Sequence, residues 1–398
     1  MFTVDFDISA LDPSFKEHAH RGIGRYVTEL KRYFDGFKHD LVSVQYFSHQ
    51  DLFSGDLVKP FLAALPAGVS TIRQQVIFPL QLARREEWSM VHFPAHMDGP
   101  AWGQKRRVLT VLDLIPLVLE ELYRPEKNNL RFRFARALEN RAIKSATHLI
   151  AISESTKRDI IRMLGVPEER ITVTPLGVDA RFFDAVLRQS EEHLRTRLGL
   201  PTLRPIVLYV GGIDERKNIH WMLEVWRALV GNFAADDVSR PVLCLAGDIA
   251  THKQFPALKQ KIKESDLQRD TILPGFVNEE DLLQLFAISR LFFFPSLYEG
   301  FGLPPLEAMA AGLPVLALNT SSMPEVIGRA AELIEPQAIG KVGSVATTAT
   351  VRALLELLKN NELCEERKKL GRAQARKFTW QATGEKTFQV YEGLARGV

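Results

Sequence analysis

Short apolar runs rich in β-branched residues alternate with longer amphipathic segments along the whole chain. In the first half, the apolar runs cover residues 2–8, 41–47, 90–93, 108–112 and 148–152, with helical patterns at 24–37 and 129–145. Strands that alternate with helices in this way build βαβ units, in which the strands are parallel. The pattern therefore predicts an α/β fold with a parallel sheet.

A second series of the same kind begins near residue 205 and predicts a second domain. Its strand candidates are 206–210, 242–246, 271–273, 291–294 and 314–318. The 398 residues of the chain suffice for two domains at about 100–200 residues each. We predict two doubly wound, Rossmann-like domains that face each other across a cleft, with ligands at the carboxyl ends of their strands. The predicted bounds are 1–180 for the N-terminal domain, 181–204 for a linker, 205–380 for the C-terminal domain, and 381–398 for a C-terminal helix that packs back toward the N-terminal domain.

Composition and charge exclude several classes of protein. The 51 Lys and Arg residues nearly balance 48 Asp and Glu residues, for a net charge of +3, so we expect no nucleic-acid partner. Two cysteines are too few for a disulfide framework and fit a reducing compartment. No run of about 20 apolar residues occurs, as a membrane span would need, and the N-terminus lacks the basic region of a signal peptide. We expect a cytoplasmic protein.

The densest motif covers residues 294–312, where a buried strand runs into a glycine-containing loop and a short helix. Gly300 and Gly302 free the backbone, and two prolines at 304–305 favour a helix start. A helix N-terminus with free N–H groups is suited to anions. Glu299 and Glu307 flank the loop, where Glu299 could accept hydrogen bonds from sugar hydroxyls and Glu307 from a ribose diol. The structural alternative is a strand–turn–helix corner whose Glu307 complements the helix dipole.

A second candidate loop, residues 210–218, follows the first strand of the second series. Gly211 and Gly212 permit close backbone approach, and Arg216 and Lys217 are adjacent cations at a helix start. Cations are unfavourable at that end of a helix dipole. An anionic ligand therefore explains the pair better than a solvated surface does.

Together these motifs resemble those of the family-4 retaining glycosyltransferases of the GT-B fold. The resemblance is carried by Glu299-x7-Glu307, Arg216-Lys217, Leu273-Pro-Gly-Phe-Val277, Ala151-Ile-Ser-Glu154 and Thr174-Pro-Leu-Gly-Val-Asp179. It implies a nucleotide-sugar donor in the second domain and an acceptor held mainly by the first.

The resemblance also implies roles for individual residues. Arg216 and Lys217 would neutralise the donor diphosphate, and Glu307 would bind the ribose. Glu299 would hold the transferred sugar together with the backbone of Gly300, Phe301, Gly302 and Leu303. The backbone around Phe276 and Val277 would meet the base.

Two segments of the first domain also match the family. Gly22 and Gly24 lie in His20-Arg-Gly-Ile-Gly-Arg-Tyr26, which resembles the family's glycine loop before the first helix, near phosphate and acceptor. The alternative is a capped helix start with a basic surface. Asp113 follows a strand and could bind acceptor or donor; the residue before it is Leu112, where the family usually has His.

The expected chemistry needs no metal and no further cofactor. A glycosyl transition state resembles an oxocarbenium ion, and cations beside the departing diphosphate would stabilise its growing negative charge. Asp5-Phe-Asp7 formally matches an acidic pair that binds Mn²⁺ or Mg²⁺ elsewhere, but a strand end or an acceptor contact explains it better. The resemblance implies retention, with the acceptor attacking on the leaving-group face.

The donor and acceptor remain open at this stage. Within the resemblance, the loop at 21–26 and Asp113-Leu-Ile-Pro116 are most like bacterial mannosyltransferases that use GDP-mannose for O-antigen or exopolysaccharide synthesis. UDP-glucose, UDP-galactose and dTDP-rhamnose are alternative donors. A nucleotide-sugar epimerase and an inactive scaffold are alternative functions; the paired glutamates disfavour the first and the intact cations the second.

A basic stretch at 124–144 predicts a further partner. Seven Lys or Arg residues stand against two Glu, and Phe132, Phe134 and Leu138 interleave with them on a helical pattern. We hypothesise contact with an anionic membrane surface or a polyprenyl-diphosphate-linked acceptor, which would place the protein peripherally on the inner face of the cytoplasmic membrane. The alternative is a solvated helix face with its Phe residues packed inward.

Overall fold

The computed structural model describes residues 1–13, 22–48, 75, 79, 89–103, 106–122, 130–187, 190–336 and 345–397. The chain forms two compact units. The first unit comprises 1–177 and 379–398, and the second comprises 178–378. Each unit is built on one parallel sheet.

In the first unit the described residues form a six-stranded parallel sheet with the order β2-β1-β3-β4-β5-β6. The strands are β1 (Phe2–Asp7), β2 (Val42–Phe47), β3 (Met90–Phe93), β4 (Arg106–Val111), β5 (His148–Ala151) and β6 (Ile171–Val173). Strands β3 and β4 are buried almost throughout, as expected for central strands of a parallel sheet. The strand order reverses between β1 and β3, as in flavodoxin-like folds.

The second unit has a six-stranded parallel sheet with the order β12-β11-β10-β7-β8-β9. Its strands are β7 (Ile206–Val210), β8 (Val242–Ala246), β9 (Thr271–Gly275), β10 (Leu291–Phe294), β11 (Val315–Leu318) and β12 (Glu332–Ile334). This is the order of the dinucleotide-binding Rossmann fold, and it reverses between β7 and β10. The prediction of two doubly wound α/β domains is confirmed.

Helices connect the strands in both units. In the first unit they are α1 (Gly22–Gly36), α2 (Ile115–Val118), α3 (Leu130–Ser145) and α4 (Glu154–Asp159); in the second they are α5 (Glu191–Arg197), α6 (Ile219–Val230), α7 (Phe255–Glu264), α8 (Glu279–Ile288), α9 (Leu303–Ala310), α10 (Met323–Ile327), α11 (Val345–Lys359) and α12 (Asn361–Ala375). The last helix, α13 (Trp380–Arg396), belongs to the first unit. Helix α6 buries eight of its twelve residues, because its apolar residues recur at helical spacing.

The chain passes between the units twice, and the two ends of the second unit are neighbours. The backbone N–H of Val178 donates to the carbonyl of Phe378 at 3.1 Å. On the first unit's side, a Cβ at Gly177 would lie 2.2 Å from the backbone nitrogen of Trp380, so only glycine allows this approach. The region 181–204, predicted as a linker, lies in the second unit, where α5 is tied to α8 by an Arg197–Asp281 ion pair.

Helix α13 is packed tightly into the first unit. A Cβ at Gly384 would lie 2.3 Å from the Tyr33 ring of α1, so the glycine lets the two helices approach closely. Tyr391 is hydrogen-bonded to Nδ1 of His92 at 2.5 Å, and Nε2 of the same ring is 2.9 Å from Thr110 Oγ1. These contacts join α13 to β3 and β4.

Candidate functional site

The reversal of strand order in the second sheet brings two loops together. Strands β7 and β10 are adjacent, with Val207 opposite Leu291, so the loops after their carboxyl ends begin side by side. The loop after β7 carries Arg216, and the N–H of Leu297 in the loop after β10 donates to the Arg216 carbonyl at 2.8 Å. Parallel sheets bind ligands at this kind of switch point.

Three donors from these two loops converge on one oxygen of Glu299. Its Oε1 accepts hydrogen bonds from Arg216 Nη1 at 2.8 Å, Lys217 Nζ at 2.6 Å and Ser296 Oγ at 2.6 Å. Arg216 also pairs with Asp214 at 2.9 Å. The predicted catalytic residues of the second domain therefore form one contiguous charged cluster.

The cluster is largely withdrawn from solvent. The side chain of Glu299 is 12% exposed and that of Lys217 is 8% exposed. Burial raises the pKa of the Glu299 carboxyl, but the charges of Lys217 and Arg216 outweigh it and bring the pKa to about 2. Burial lowers the pKa of Lys217, and Glu299 opposes that change. At neutral pH the carboxyl is thus ionised beside two cations, and it can accept but not donate hydrogen bonds.

Two glycines give the site its shape. A Cβ at Gly211 would lie 2.8 Å from the hydroxyl of Tyr209, which donates to the Gly212 carbonyl at 2.6 Å. Gly302 has a left-handed φ of 105°, and a Cβ there would lie 2.2 Å from Cε of Met323. Gly302 ends the loop that also contains the buried Gly300 and Phe301.

Helix α9 starts earlier than its prolines suggest. It begins at Leu303, directly after the left-handed Gly302. Glu307 is therefore the fifth helical residue and lies beyond the first turn. The sequence had predicted Glu307 within the first turn. Glu307 is 5% exposed. Because the dipole effect fades beyond the first turn, this placement weakens the dipole explanation of Glu307.

The segment predicted to meet the base follows β9. Strand β9 extends to Gly275, two residues beyond the predicted end. Phe276 is 76% exposed, and Val277 is half-buried. An apolar side chain this exposed beside a strand's carboxyl end is available to a ligand.

The chain matches two glycosyltransferase families over most of its length. Residues 20–182 match Glycosyltransferase Family 4, and residues 190–376 match Glycosyl transferases group 1. The boundary between the matches falls where the strand series changes. The chain belongs to the family-4 glycosyltransferases.

Relatives and solved structures agree with this membership. The glycosyltransferase is 28% identical to O-antigen chain mannosyltransferase B of Escherichia coli over 323 residues, 78% of each chain. It is 29% identical to the serotype-specific mannosyltransferase WbdA of Escherichia coli over 81% of its own length, but spans only 37% of that protein.

Among solved structures, sucrose-phosphate synthase from Thermosynechococcus elongatus aligns over the whole of both chains with a TM-score of 0.70 at 19% identity. Alr3699/HepE of Anabaena, solved with UDP and glucose, aligns equally fully with a TM-score of 0.64 at 19% identity. At these identities the likeness establishes the GT-B fold of the glycosyltransferase.

The predicted residues of the first unit occupy separate positions within it. Gly22 is the first residue of α1 and Gly24 is already helical, its carbonyl accepting from Thr28 Oγ1 at 2.8 Å. Helix α1 thus starts two residues before the predicted position, while His20 and Arg21 lie outside the described residues. Asp113 Oδ1 accepts from the N–H of Ile115 at 3.1 Å, so part of its carboxylate supports the turn into α2.

Ser296, whose hydroxyl donates to Glu299, is not among the residues that the sequence motifs predict. Ser296 is 1% exposed and lies two residues after β10. Its position just after a buried strand is the sequence signal that could have pointed to it, because ligands of parallel sheets bind at the carboxyl ends of strands. Three further hydroxyl residues at 320–322, after β11, contact the same loop and carry no family motif.

Within the described parts of the glycosyltransferase, no group of three His, Cys, Asp or Glu side chains could hold a metal ion. No described helix is long and apolar enough to cross a membrane. His92, which lies within β3, is fully buried, and burial lowers its pKa to about 3. Its two hydrogen bonds inside the first unit mark it as structural.

Proposed function

We propose that the protein is a retaining mannosyltransferase that moves mannose from GDP-mannose onto a glycan or lipid-linked acceptor in cell-surface polysaccharide synthesis. The observation that carries the proposal is the cluster of Arg216, Lys217 and Glu299 at the switch point of the second unit. The choice of mannose is supported by the likeness to O-antigen chain mannosyltransferase B, which extends over 78% of both chains.

The cluster explains how a diphosphate would bind and leave. Two cations face one carboxylate, and Asp214 balances Arg216 further. A donor diphosphate brings negative charge that competes with Glu299 for the same cations. As the sugar–oxygen bond breaks, charge grows on the phosphate oxygen, and cations preset in a site of low water content stabilise it strongly.

Glu299 acts in this scheme as an acceptor and not as an acid. With a pKa of about 2 it stays ionised at neutral pH and can accept hydrogen bonds from sugar hydroxyls. Since the acceptor attacks on the leaving-group face, the departing phosphate oxygen receives the acceptor's proton. Glu307 binds the ribose, the backbone of 300–303 binds the sugar and diphosphate, and residues 276–277 contact the base.

The first experiment is a thermal-shift screen against GDP, UDP, dTDP and their sugar conjugates in EDTA. Ligands that bind the native state raise the melting temperature by mass action. We expect shifts with GDP and GDP-mannose. A shift only with UDP or dTDP species would change the proposed donor but support the proposed binding site. No shift with any nucleotide would refute the donor site.

Transfer assays test the cluster itself. Lys217→Ala and Glu299→Ala should lose nearly all transfer while the circular dichroism spectrum is kept. Lys259→Ala, which changes a lysine on α7 in the same unit, is the matched control and should retain full activity. Near-wild-type turnover of either cluster variant would contradict the assignment.

We further propose that α3 contacts an anionic membrane surface carrying the acceptor. Leu130 and Phe134 are 76% and 60% exposed, and Arg133, Arg141 and Lys144 are exposed on the same helix. Leu138, one turn further along the same stripe of the helix, is buried. Phe134 therefore does not pack inward as the alternative required. Arg124 and Lys127 lie outside the described residues.

Liposome sedimentation tests this contact. The protein should sediment with vesicles that contain phosphatidylglycerol and much less with neutral phosphatidylcholine vesicles, because interfacial binding combines apolar burial with attraction to anionic lipid. The double variant Phe134→Ser, Arg141→Ser should remain in the supernatant, whereas Leu203→Ser, which removes an exposed leucine of the second unit, should not. Equal sedimentation with both kinds of vesicle would refute the proposal.

A further inference from the structure

The loop that carries Glu299 is braced by the segment that follows the neighbouring strand β11, which we call the hydroxyl segment (Thr320, Ser321 and Ser322). Thr320 Oγ1 donates to the carbonyl of Ser296 at 3.0 Å. Next along the segment, Ser321 Oγ accepts the N–H of Glu299 at 2.9 Å. The segment after β11 thus holds the backbone of Glu299, while Arg216 and Lys217, which follow β7, hold its side chain.

Ser322 holds the same loop through its carbonyls. Its hydroxyl is fully buried and lies 3.0 Å from the carbonyl oxygen of Glu299 and 2.7 Å from that of Phe301. In a trans peptide the carbonyl and the N–H of the next residue point in opposite directions, and none of the described peptide bonds is cis. Because Ser322 attracts those two carbonyls, it directs the N–H groups of Gly300 and Gly302 away from itself.

Ser321 is held in a conformation that serine does not favour. Its φ is +46°, in the left-handed region that is unfavourable for a residue with a Cβ. Glycine would adopt this backbone more easily. Serine offers what glycine lacks, an oxygen for the Glu299 N–H. Strained backbone conformations of this kind cluster at functional sites, where the surrounding structure enforces them.

We infer that the hydroxyl segment is a positioning element that sets donor affinity by aiming the backbone N–H groups of the Glu299 loop. The inference rests on the proposed function, since those N–H groups are the ones that would contact the sugar nucleotide. The three hydroxyl residues act through the loop and need not touch the donor. Loss of one brace would let the loop sample orientations that bind the diphosphate less well.

The experiment compares stability with donor binding in single variants. Ser322→Ala should raise the Kd for the sugar nucleotide and the donor KM about tenfold with a smaller change in kcat, and Ser322→Thr, which restores a hydroxyl, should recover most of the loss. Ser321→Gly should keep or raise the melting temperature, because it relieves the backbone, and still weaken donor binding severalfold. Ser289→Ala, which removes a hydroxyl that donates to the Leu285 carbonyl at the end of α8, is the control and should change neither quantity.

The outcomes separate this inference from the proposed function. Wild-type binding of a sugar nucleotide with unaltered affinity in Ser321→Gly and Ser322→Ala would overturn the positioning role alone. Affinity losses that merely follow a fall in melting temperature would also overturn it, because a structural role would suffice. Failure of the wild type to bind any nucleotide in the screen would refute the donor site itself, and the positioning role with it.

Discussion

Replacing Glu299 by Gln removes the charge at the centre of the cluster while keeping the shape of the side chain. The ordinary pKa of the carboxyl is 4.5, and the cluster brings it to about 2. At about 1.4 kcal/mol for each pKa unit, this difference corresponds to about 3 kcal/mol of stability at pH 7. That agrees with the cost of about 3–5 kcal/mol for removing one partner of a buried ion pair.

The sign of the pH dependence follows from the lowered pKa. The folded state holds the carboxylate ionised more strongly than the unfolded chain does, so the stabilisation is complete above pH 4.5 and is lost as the pH falls toward 2. The stability difference between wild type and Glu299→Gln should therefore shrink by about 1 kcal/mol between pH 6 and pH 3.5.

Urea unfolding followed by tryptophan fluorescence measures this difference, since Trp221 and Trp226 are buried in the second unit. Glu264→Gln, which neutralises a glutamate on α7 of the same unit, should change the free energy of unfolding little. Its difference from wild type should not shrink as the pH falls. A gap between wild type and Glu299→Gln that stays constant or widens as the pH falls would refute the electrostatic account.

Three further predictions rest on glycines and on a buried histidine. Gly302→Ala should weaken donor binding and cost roughly 1–2 kcal/mol, because φ is 105° and Met323 fills the Cβ position; isothermal titration and melting curves test this, and unchanged affinity would contradict it. Wild-type stability should fall as the pH drops from about 6.5 to about 3 through His92, since the unfolded chain binds a proton that the folded state excludes; His92→Gln should lose that dependence, and an equally acid-sensitive variant would argue against it. Gly384→Ala should destabilise the first unit by about 1–3 kcal/mol, because the added methyl group overpacks on Tyr33. Hydrogen exchange of the α13 amides should then be faster, and unchanged exchange protection would show that the two helices accommodate the methyl group without cost.

The sequence predicts most of this fold because buried parallel strands have an unambiguous signature. Strands β3, β7, β8 and β10 lie where their apolar runs predict, to the residue. The two missed strands, β6 and β12, have three residues each, too few to show a periodicity. Both lie at sheet edges, where only one neighbour and partial burial constrain the sequence.

The site is predictable only in part, for a different reason. A motif shows that Glu299 and Lys217 follow strands, but not that their side chains bond to each other across 82 positions of sequence. That contact depends on the order of strands in the sheet. Likewise, Ser321 reads as an ordinary loop residue, since its left-handed backbone is imposed by the neighbouring loop and leaves no compositional trace.

The two adjacent crossings between the units have a consequence for how this architecture can be rearranged. Residues 178–378 form an insertion whose ends are joined by the 3.1 Å hydrogen bond between Val178 and Phe378. The first unit's own chain ends, Gly177 and Thr379, also lie side by side. Insertions with adjoining ends are the kind that domains tolerate. Exchanging the segment 178–378 between relatives would therefore need two splice points that lie side by side, and under the proposed function it would transfer donor choice as one unit.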